Sequence, residues 1–323
     1  MKFSVVLVNY HSWPYTLRCI DSLYGTGYED FEVVVVVNDQ TTVPEIAYPV
    51  RLIRNPENVG FARACNQGMI ASDGEYVALI NNDTLLEGDF FESLQRFFDE
   101  NPRAGVAGTR VVDAEGNLQL TARKELSFVS GLLGRTSLLT RLLGPKNPLV
   151  RRLFPAAEEL TGPTMVDWVS GTCMIIRRRT LEEIGLLDER FFMYFEDADL
   201  CRRAWEGGWL VYYLPQVEVL HHSGVSTRKA RYIWYFHKSA FLYHRKYGPH
   251  GPLGLYSLLV LLGLSWRVIV KLAALLIEKH MIEQRLKRRD VCERAYRQHR
   301  ARDGRALGEH RSEQEPRPRP ISE

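Results

Sequence analysis

Up to about residue 110, long apolar runs alternate with segments of mixed polarity. Continuous runs rich in β-branched residues are typical of strands that are buried on both faces of a parallel sheet. FSVVLVN (3–9) and FEVVVVVN (31–38) are such runs, and VRLIR (50–54) and EYVALI (75–80) predict a third and a fourth strand. Between the first two, residues 14–24 carry apolar positions at helical spacing, and Ser12 is a candidate N-cap. This alternation predicts an α/β domain with a mostly parallel, Rossmann-like sheet flanked by helices, whose ligands bind beyond the carboxyl ends of the strands.

The middle of the chain is less regular. Residues 126–163 mix Leu, Gly, Pro and Arg without a steady period, which predicts a flexible insertion over the binding site. Order returns with a long strand pattern around Gly171, a helix and two short strands, at residues 165–178, 180–186, 209–213 and 217–221. We therefore expect one folded domain over residues 1–248.

The C-terminal part has a different character. Residues 253–277 are apolar, but Arg267 and Lys271 interrupt the run. The uninterrupted part would reach ~21 Å as a helix, short of the ~30 Å hydrocarbon core of a bilayer. We predict a membrane-associated helix over residues 249–283 that lies in the interface, with a snorkelling span or a helix packed on the domain as alternatives. Residues 284–323 are rich in Arg and Glu, which predicts a charged, disordered tail.

Charge and cysteine content narrow the class of protein. The net charge of +3 conceals a basic end, because residues 279–323 hold 13 Lys or Arg against 8 Asp or Glu. This asymmetry predicts an anionic membrane surface as a partner and argues against nucleic acid. The five cysteines are scattered without a CxxC pair, which argues against a disulfide framework or a zinc site and suits a reducing compartment. The first apolar run is too short for a signal peptide, so we expect the domain to stay cytoplasmic.

The fourth predicted strand ends in the polar group Asn81-Asn82-Asp83. A carboxylate at this point faces the crevice where a divalent metal and a diphosphate would meet. Magnesium and manganese suit such a site, because they prefer oxygen ligands and keep substrate phosphates in their coordination shell. The alternative is a polar turn that caps the next helix.

Three carboxylates, Glu196, Asp197 and Asp199, follow the aromatic run FFMYF. So close a set repels itself unless a cation, a helix N-terminus or a catalytic demand holds it. A helix that begins near Glu196 would direct its positive end at these groups, and one of them would act as a general base toward a substrate hydroxyl. Salt bridges to Arg202 and Arg203 are the alternative, which we favour for Asp199.

Two further motifs carry weaker signals. The tandem His221 and His222 follow a predicted strand and either offer a neutral imidazole to a metal or are ordinary surface residues. Ahead of a predicted helix, Asn58, Gly60 and Arg63 would approach phosphates. Helix capping explains Asn58 and Gly60 equally well.

Five motifs occur together in one order, and their joint occurrence is more specific than any one of them. They are VVLVNY, NPENVGFARACNQG, ALINNDTLLEGDFF, VDWVSGTCMIIRRRTLEEIGLLDERFFMYFEDADLCRR and HHSGVST. Over residues 2–248 the chain resembles family 2 glycosyltransferases, in particular the bacterial rhamnosyltransferase-like branch. The resemblance implies a GT-A fold, a nucleotide-diphospho-sugar donor, Mg²⁺ or Mn²⁺, and inversion at the anomeric carbon. It favours dTDP-rhamnose as the donor, with a UDP-sugar second.

The resemblance also implies a metal and diphosphate site. Asp83 matches the acid of the family's DxD-like motif, in which Asn81 here replaces the first acid, so Asn82 and Asp83 are expected at the donor. His221 stands where the family has a metal-ligating histidine, and His222 is its substitute if the alignment shifts by one.

Catalytic and nucleotide contacts are implied in the same way. Asp197 matches the catalytic base of the family's ED motif, with Glu196 beside it as the second catalytic candidate. Asn9 and Tyr10 match the loop after the first strand that touches the nucleotide. Arg63 matches a position near the diphosphate.

One departure concerns the nucleotide base. The family has an Asp-Asn pair after the second strand, whereas this chain has Asn38-Asp39. Either Asp39 holds the base from a shifted backbone or base recognition differs.

These inferences predict an inverting transfer of a sugar to a lipid-linked or cell-surface glycan, in cell-wall or polysaccharide biosynthesis. The reaction is expected at the cytoplasmic face of a membrane, by a peripheral or monotopic enzyme. A metal-dependent nucleotidyltransferase should show a Gly-rich phosphate loop with Lys or Arg after the first strand, which VNYHSWP lacks. A catalytically silent, membrane-bound scaffold of the same fold is the other alternative, and oligomerisation stays open.

Overall fold

A computed structural model describes residues 1–119, 121–123, 161–222, 230–248, 257–258, 260–273, 276 and 281. The chain divides into two units, Met1–Leu264 and Ser265–Glu323. The predicted insertion lies outside the described residues apart from 161–163, and so does the whole predicted tail 284–323.

The strongest apolar runs build the parallel half of the main sheet. Its strands and the helices between them are β1 (Phe3–Asn9), α1 (Trp13–Gly25), β2 (Phe31–Val37), β3 (Arg51–Arg54), α2 (Phe61–Ile70) and β4 (Tyr76–Ile80). The four strands are parallel and lie in the order β3-β2-β1-β4. β1, β2 and β4 are almost entirely buried, because side chains pack against both of their faces. This confirms the four predicted strands and the first predicted helix.

The other half of the sheet is mixed. Its strands are β5 (Thr84–Leu86), β6 (Ala104–Val112), β7 (Leu118–Gln119), β9 (Thr164–Met165), β11 (Cys173–Arg177) and β12 (Leu210–His221). A separate two-stranded sheet pairs β8 (Ala122–Arg123) with β10 (Trp168–Val169). β11 runs antiparallel between β4 and β6, whereas β12 is parallel to β6 and antiparallel to β5. The helices here are α3 (Phe90–Glu100), α4 (Arg178–Ile184), α5 (Glu196–Glu206) and α6 (Ala230–Tyr247).

The long strand predicted over residues 165–178 is wrong. The segment forms β9, β10 and β11, which belong to different pairings, with a turn at residues 171–172. The two short strands predicted at 209–213 and 217–221 are one strand, β12, whose pairing with β6 shifts register between Leu214 and Glu218. Pro215 lies in this shift and lacks the N–H that regular pairing needs. The helix predicted at 180–186 is α4, which begins two residues earlier.

Residues 260–273, within the predicted membrane-associated segment, are helical. Within the described ranges, no helix combines the length and the apolar character needed to cross a bilayer.

Candidate active site

The carboxyl ends of β1 and β4 bring two asparagines together. The Asn82 side-chain amide donates hydrogen bonds to Ser12 Oγ at 2.6 Å and Thr16 Oγ1 at 2.7 Å. The Thr16 hydroxyl in turn donates to Asn9 Oδ1 at 2.8 Å. Asn9 is fully buried, and its amide nitrogen has no hydrogen-bond partner among the described residues. Ser12 occupies the N-cap position of α1, but its side chain makes no capping bond and serves this network, which fixes the backbone ahead of Asp83.

Asp83 lies beside His221, the last residue of β12. Asp83 Oδ1 is 3.1 Å from His221 Nε2, and the amide nitrogen of Asn81 lies 3.4 Å from the same ring atom. On the other side of the ring, His221 Nδ1 is 3.0 Å from Gln119 Oε1. The Gln119 amide nitrogen donates to the His221 carbonyl at 3.4 Å, which orients the amide so that its oxygen accepts from Nδ1. In the neutral tautomer that carries its proton on Nδ1, the Nε2 lone pair of His221 faces the Asp83 carboxylate.

His222 lies apart from this pair. Its Nε2 is 3.5 Å from the guanidinium of Arg18, and its ring is 6.3 Å from that of Tyr15, although its backbone N–H donates to the Asp83 carbonyl. In the described part of the chain, no group of three or more His, Cys, Asp or Glu side chains is arranged to hold a metal ion. Asp83 and His221 thus form a two-residue site.

Asp197 stands in the first turn of α5, as the sequence predicts. Its Oδ2 accepts a hydrogen bond from the backbone N–H of Gly171 at 3.0 Å, and its Oδ1 accepts from Ala198 N at 2.7 Å. The carbonyl of the next residue, Thr172, accepts from Asn81 N at 2.9 Å. The turn between β10 and β11 therefore connects the ED motif to the Asn81-Asn82-Asp83 motif at one end of the sheet.

The backbone is strained just before α5. Tyr194 and Phe195 are consecutive non-glycine residues with φ of 69° and 70°. The left-handed region costs an ordinary residue about 1–2 kcal/mol, so packing around these residues must offset that cost. Backbone strain of this kind is concentrated at functional sites.

Glu196 and Asp197 have opposite surroundings. Glu196 is buried, with 5% of its surface exposed, and its Oε2 has no hydrogen-bond partner among the described residues. Burial, and then the neighbouring charge of Asp197, raise the pKa of Glu196 well above its ordinary value. A carboxyl group in this environment favours its neutral form and is a poor proton acceptor. Asp197 is partly exposed and is the better candidate base.

Asp199 is fully buried among cationic and hydroxyl partners. Arg203 Nε donates to it at 2.8 Å, Lys246 Nζ at 2.5 Å and the Tyr247 hydroxyl at 2.7 Å. Arg202 instead pairs with Glu206 at 2.9 Å. The interpretation of Asp199 as a salt-bridged residue is confirmed for Arg203. Sequence reasoning missed Lys246 and Tyr247, because no local spacing connects them to α5.

Asp39 organises the loop after β1. Its carboxylate accepts hydrogen bonds from the backbone N–H of His11 at 2.5 Å, from Thr41 N at 2.7 Å and from the Thr41 hydroxyl. Burial alone would raise the pKa of Asp39, but these hydrogen bonds outweigh it and hold the pKa below its ordinary value. The Tyr10 ring lies 4.5 Å from the His11 ring and 5.7 Å from the Arg231 guanidinium.

The remaining predicted contacts are less central. Asn38 is buried, and its amide bonds Asn58 Oδ1 at 3.0 Å, while Asn58 accepts from Gly60 N at 2.9 Å. Gly60 has φ of 93°, and a Cβ there would meet Phe192 at 2.8 Å, so capping and close packing account for this glycine. The Arg63 side chain is 59% exposed, and its Nε lies 3.8 Å from Glu189.

Comparison with known proteins adds independent evidence. The family model described as "Glycosyl transferase family 2" matches residues 4–185. The chain is 32% identical over 262 residues to an N-acetylglucosaminyl-diphospho-decaprenol L-rhamnosyltransferase of Mycobacterium tuberculosis, covering 74% of this chain and 82% of that protein. It is also 32% identical over 175 residues to the rhamnosyltransferase WbbL of Escherichia coli K12, covering 54% and 60%.

Solved structures share the fold at low sequence identity. GalNAc-T7 matches with a TM-score of 0.51 and 15% identity, over 70% of this chain and 44% of its own. A mannosyltransferase from Pyrobaculum calidifontis matches with a TM-score of 0.50 and 18% identity, over 86% and 74%. The α/β architecture is therefore GT-A-like. The extent of the family match and the identity to the Mycobacterium tuberculosis relative show that the chain belongs to glycosyl transferase family 2 and is a glycosyltransferase similar to rhamnosyltransferases.

Proposed function

We propose that this enzyme transfers a sugar from a nucleotide-diphospho-sugar to a lipid-linked saccharide, with inversion at the anomeric carbon. The proposal is supported by the hydrogen-bonded link between the turn that holds Asp197 and the strand end that carries the Asp83–His221 pair. The hydrogen bonds of Gly171 and Thr172 connect these two sites. One site is suited to a leaving diphosphate and the other to an attacking hydroxyl.

The Asp83–His221 pair fits a divalent cation. Two proton acceptors, Oδ1 and Nε2, face each other at 3.1 Å, and such a pair requires a proton or a cation between or beside them. The hydrogen bond from Nδ1 to Gln119 presets the tautomer that a metal ligand needs. Mg²⁺ or Mn²⁺ held by Asp83 and His221 would neutralise charge on the leaving diphosphate. Substrate oxygens and water would complete its coordination, as is usual for magnesium.

Asp197 is the proposed general base. Hydrogen bonds from Gly171 N to Oδ2 and from Ala198 N to Oδ1 hold the carboxylate of Asp197 in position. The positive end of α5 favours its ionised form. The acceptor hydroxyl gives its proton to Asp197 as its oxygen bonds to the anomeric carbon, and the bond from that carbon to the diphosphate breaks on the opposite face. Buried Glu196 shapes this turn and does not take the proton.

The donor is assigned by likeness to relatives. Since two relatives are rhamnosyltransferases by name, dTDP-rhamnose is the first donor to test and UDP-sugars the second. Tyr10 and Asp39 lie on the loops that would receive the nucleotide, and Asn9 is the last residue of β1, directly before the first of them. The Asp39 carboxylate already accepts one hydrogen bond from His11, on the loop after β1, and two from Thr41, on its own loop. We therefore propose that it shapes the base pocket by connecting these two loops. Arg63 would contact the diphosphate from the surface.

The acceptor is proposed to be a saccharide on a lipid diphosphate, as the name of the Mycobacterium tuberculosis relative states for that enzyme. Helix α6 supports a membrane-facing surface. It contains no Asp or Glu, and its exposed positions Arg231, Trp234, Lys238 and Arg245 recur at helical spacing on one face. A cationic face with an exposed Trp is suited to an anionic lipid interface.

The C-terminal unit supports the same proposal independently. Trp266, Ile269 and Val270 are exposed along a helix that also carries Arg267 and Lys271. Apolar side chains next to cations are typical of helices that lie in the interface of an anionic bilayer. We propose peripheral or monotopic attachment at the cytoplasmic face.

The test has two stages. Thermal-shift measurements against dTDP-rhamnose, UDP-glucose, UDP-N-acetylglucosamine and GDP-mannose, each with and without Mn²⁺, identify the donor. Transfer from that donor to N-acetylglucosaminyl-diphospho-lipid is then followed by mass spectrometry. A metal-dependent shift with dTDP-rhamnose and a product one deoxyhexose heavier is the expected result. Absence of both transfer and donor hydrolysis would refute the proposal.

A further inference from the structure

Helix α6 contacts α5, the helix that carries Asp197, at the buried carboxylate of Asp199. Asp199 has no exposed surface, and Lys246 and Tyr247 of α6 both bind its Oδ1, at 2.5 Å and 2.7 Å. Lys246 Nζ also lies 2.8 Å from Asp188 Oδ2, in the turn that precedes α5. Arg190 binds the same carboxylate, and its hydrogen bond is the main reason that the pKa of Asp188 is held well below its ordinary value. Lys246 therefore bridges Asp188 and Asp199, two carboxylates that lie on either side of the segment that contains Asp197.

The rest of α6 packs along the strained segment before Asp197. The Tyr235 ring lies 4.7 Å from Phe192, and the Phe236 ring lies 5.6 Å and 5.4 Å from Tyr194 and Phe195, the two residues with positive φ. The Ser239 hydroxyl donates to the Met193 carbonyl at 2.8 Å. Every residue from 192 to 195 thus touches α6, and Asp197 follows two residues later.

We propose that α6 is a brace that holds the general base in its working position and that Lys246 is a positioning residue for Asp197. The proposal rests on the assignment of Asp197 as base. The left-handed turn is unfavourable by itself, so its geometry depends on contacts from outside the segment. Lys246 supplies the ionic part of those contacts. Loss of its charge would leave the buried carboxylate of Asp199 with one cation fewer to balance it, which is energetically costly. Lys246 lies at the opposite end of α6 from Arg231, the residue beside Tyr10, so the loss of Lys246 acts on the chemical step and not on donor binding.

The experiment measures kcat for transfer and donor affinity in the full-length chain. With dTDP-rhamnose and N-acetylglucosaminyl-diphospho-lipid, Lys246→Met should lower kcat about 10- to 100-fold, because a small displacement of a catalytic group is costly. Donor KM and Kd should stay within about 2-fold, since Asp83 and the β1 loop are untouched. Lys246→Arg should restore most of kcat, because a guanidinium can bridge both carboxylates. Arg179→Met, which removes an exposed cation from α4, is the matched control with unchanged kinetics.

Two results would overturn the brace. One is a Lys246→Met protein with normal kcat and only a lower unfolding temperature, because that result would mean that Lys246 stabilises the fold without positioning Asp197. The other is a change confined to donor KM. If Lys246→Met does not fold, Tyr247→Phe decides, because loss of one hydrogen bond to Asp199 should lower kcat about 2- to 10-fold at unchanged donor Kd, and normal kcat refutes the brace. Asp197→Asn is measured in parallel: full activity there refutes the base assignment, whereas an inactive Asp197→Asn with a normal Lys246→Met refutes the brace alone.

Discussion

Replacing Asp197 by Asn is the sharpest test of the catalytic assignment. The substitution removes the proton acceptor but keeps the size of the side chain. General-base catalysis is typically worth 10²- to 10⁴-fold, or about 3–5 kcal/mol in the activation free energy. One of the two oxygens becomes an NH₂ group that faces a backbone donor, either Gly171 N or Ala198 N. Because Asp197 is partly exposed, water can relieve this conflict, and the loss of folding stability should be about 1 kcal/mol.

The assay compares Asp197→Asn with Glu196→Gln under donor saturation. We expect kcat of Asp197→Asn to fall 10²- to 10⁴-fold, with donor Kd from calorimetry nearly unchanged. Glu196→Gln should stay within about 5-fold of the native rate, because burial raises the pKa of Glu196 and so favours its neutral form, which Gln imitates. Equal losses in the two variants, or a greater loss for Glu196→Gln, would refute the reasoning.

Three further predictions follow from the site and the C-terminal unit. Asp83→Ala should abolish Mn²⁺-dependent donor binding, and His221→Ala should weaken it more than His222→Ala. A Mn²⁺ titration that is identical in all three variants would contradict the metal-site assignment. Burial raises the pKa of Glu196 in the folded state, so ionising this group destabilises the fold as pH rises above about 4.5. The gain in unfolding temperature of Glu196→Gln over the native chain should therefore be larger at pH 8 than at pH 5. A gain that does not change with pH would contradict this. Ending the chain after Leu264, which keeps buried Ser257 and Val260 in place, should weaken sedimentation with anionic vesicles while sparing donor hydrolysis. High salt should partly release the full-length chain from these vesicles. Resistance to both salt and alkaline carbonate would indicate a spanning helix.

Local sequence patterns predicted the structure correctly where the residues that determine an element all lie within one stretch of chain. The apolar runs of β1 and β2 predict buried parallel strands because every side chain in them has to leave water. The start of α5 at Glu196 follows from its acidic first turn. The order of the motifs was enough to assign the family, since chemistry at the ends of successive strands is brought together by the topology of an α/β sheet.

Other features depend on residues that are distant in sequence. Gln119 orients His221 from a strand with no motif, and Gly171 holds Asp197 from a turn that periodicity predicted to be continuous strand. Apolar residues lie on both sides of the partly buried residues 171–172, so the apolar pattern alone does not show that the chain passes from one sheet to the other there.

The sequence by itself determined the fold class, the family and the set of polar residues at the strand ends. The tertiary structure alone distinguished the neighbouring carboxylates, by burying Glu196 without a partner, leaving Asp197 partly exposed and surrounding Asp199 with Lys246, Tyr247 and Arg203. The physical reason is that the properties of a carboxyl group are set by solvation and by charges within a few ångströms. Two of those neighbours, Lys246 and Tyr247, come from a helix more than forty residues away along the chain.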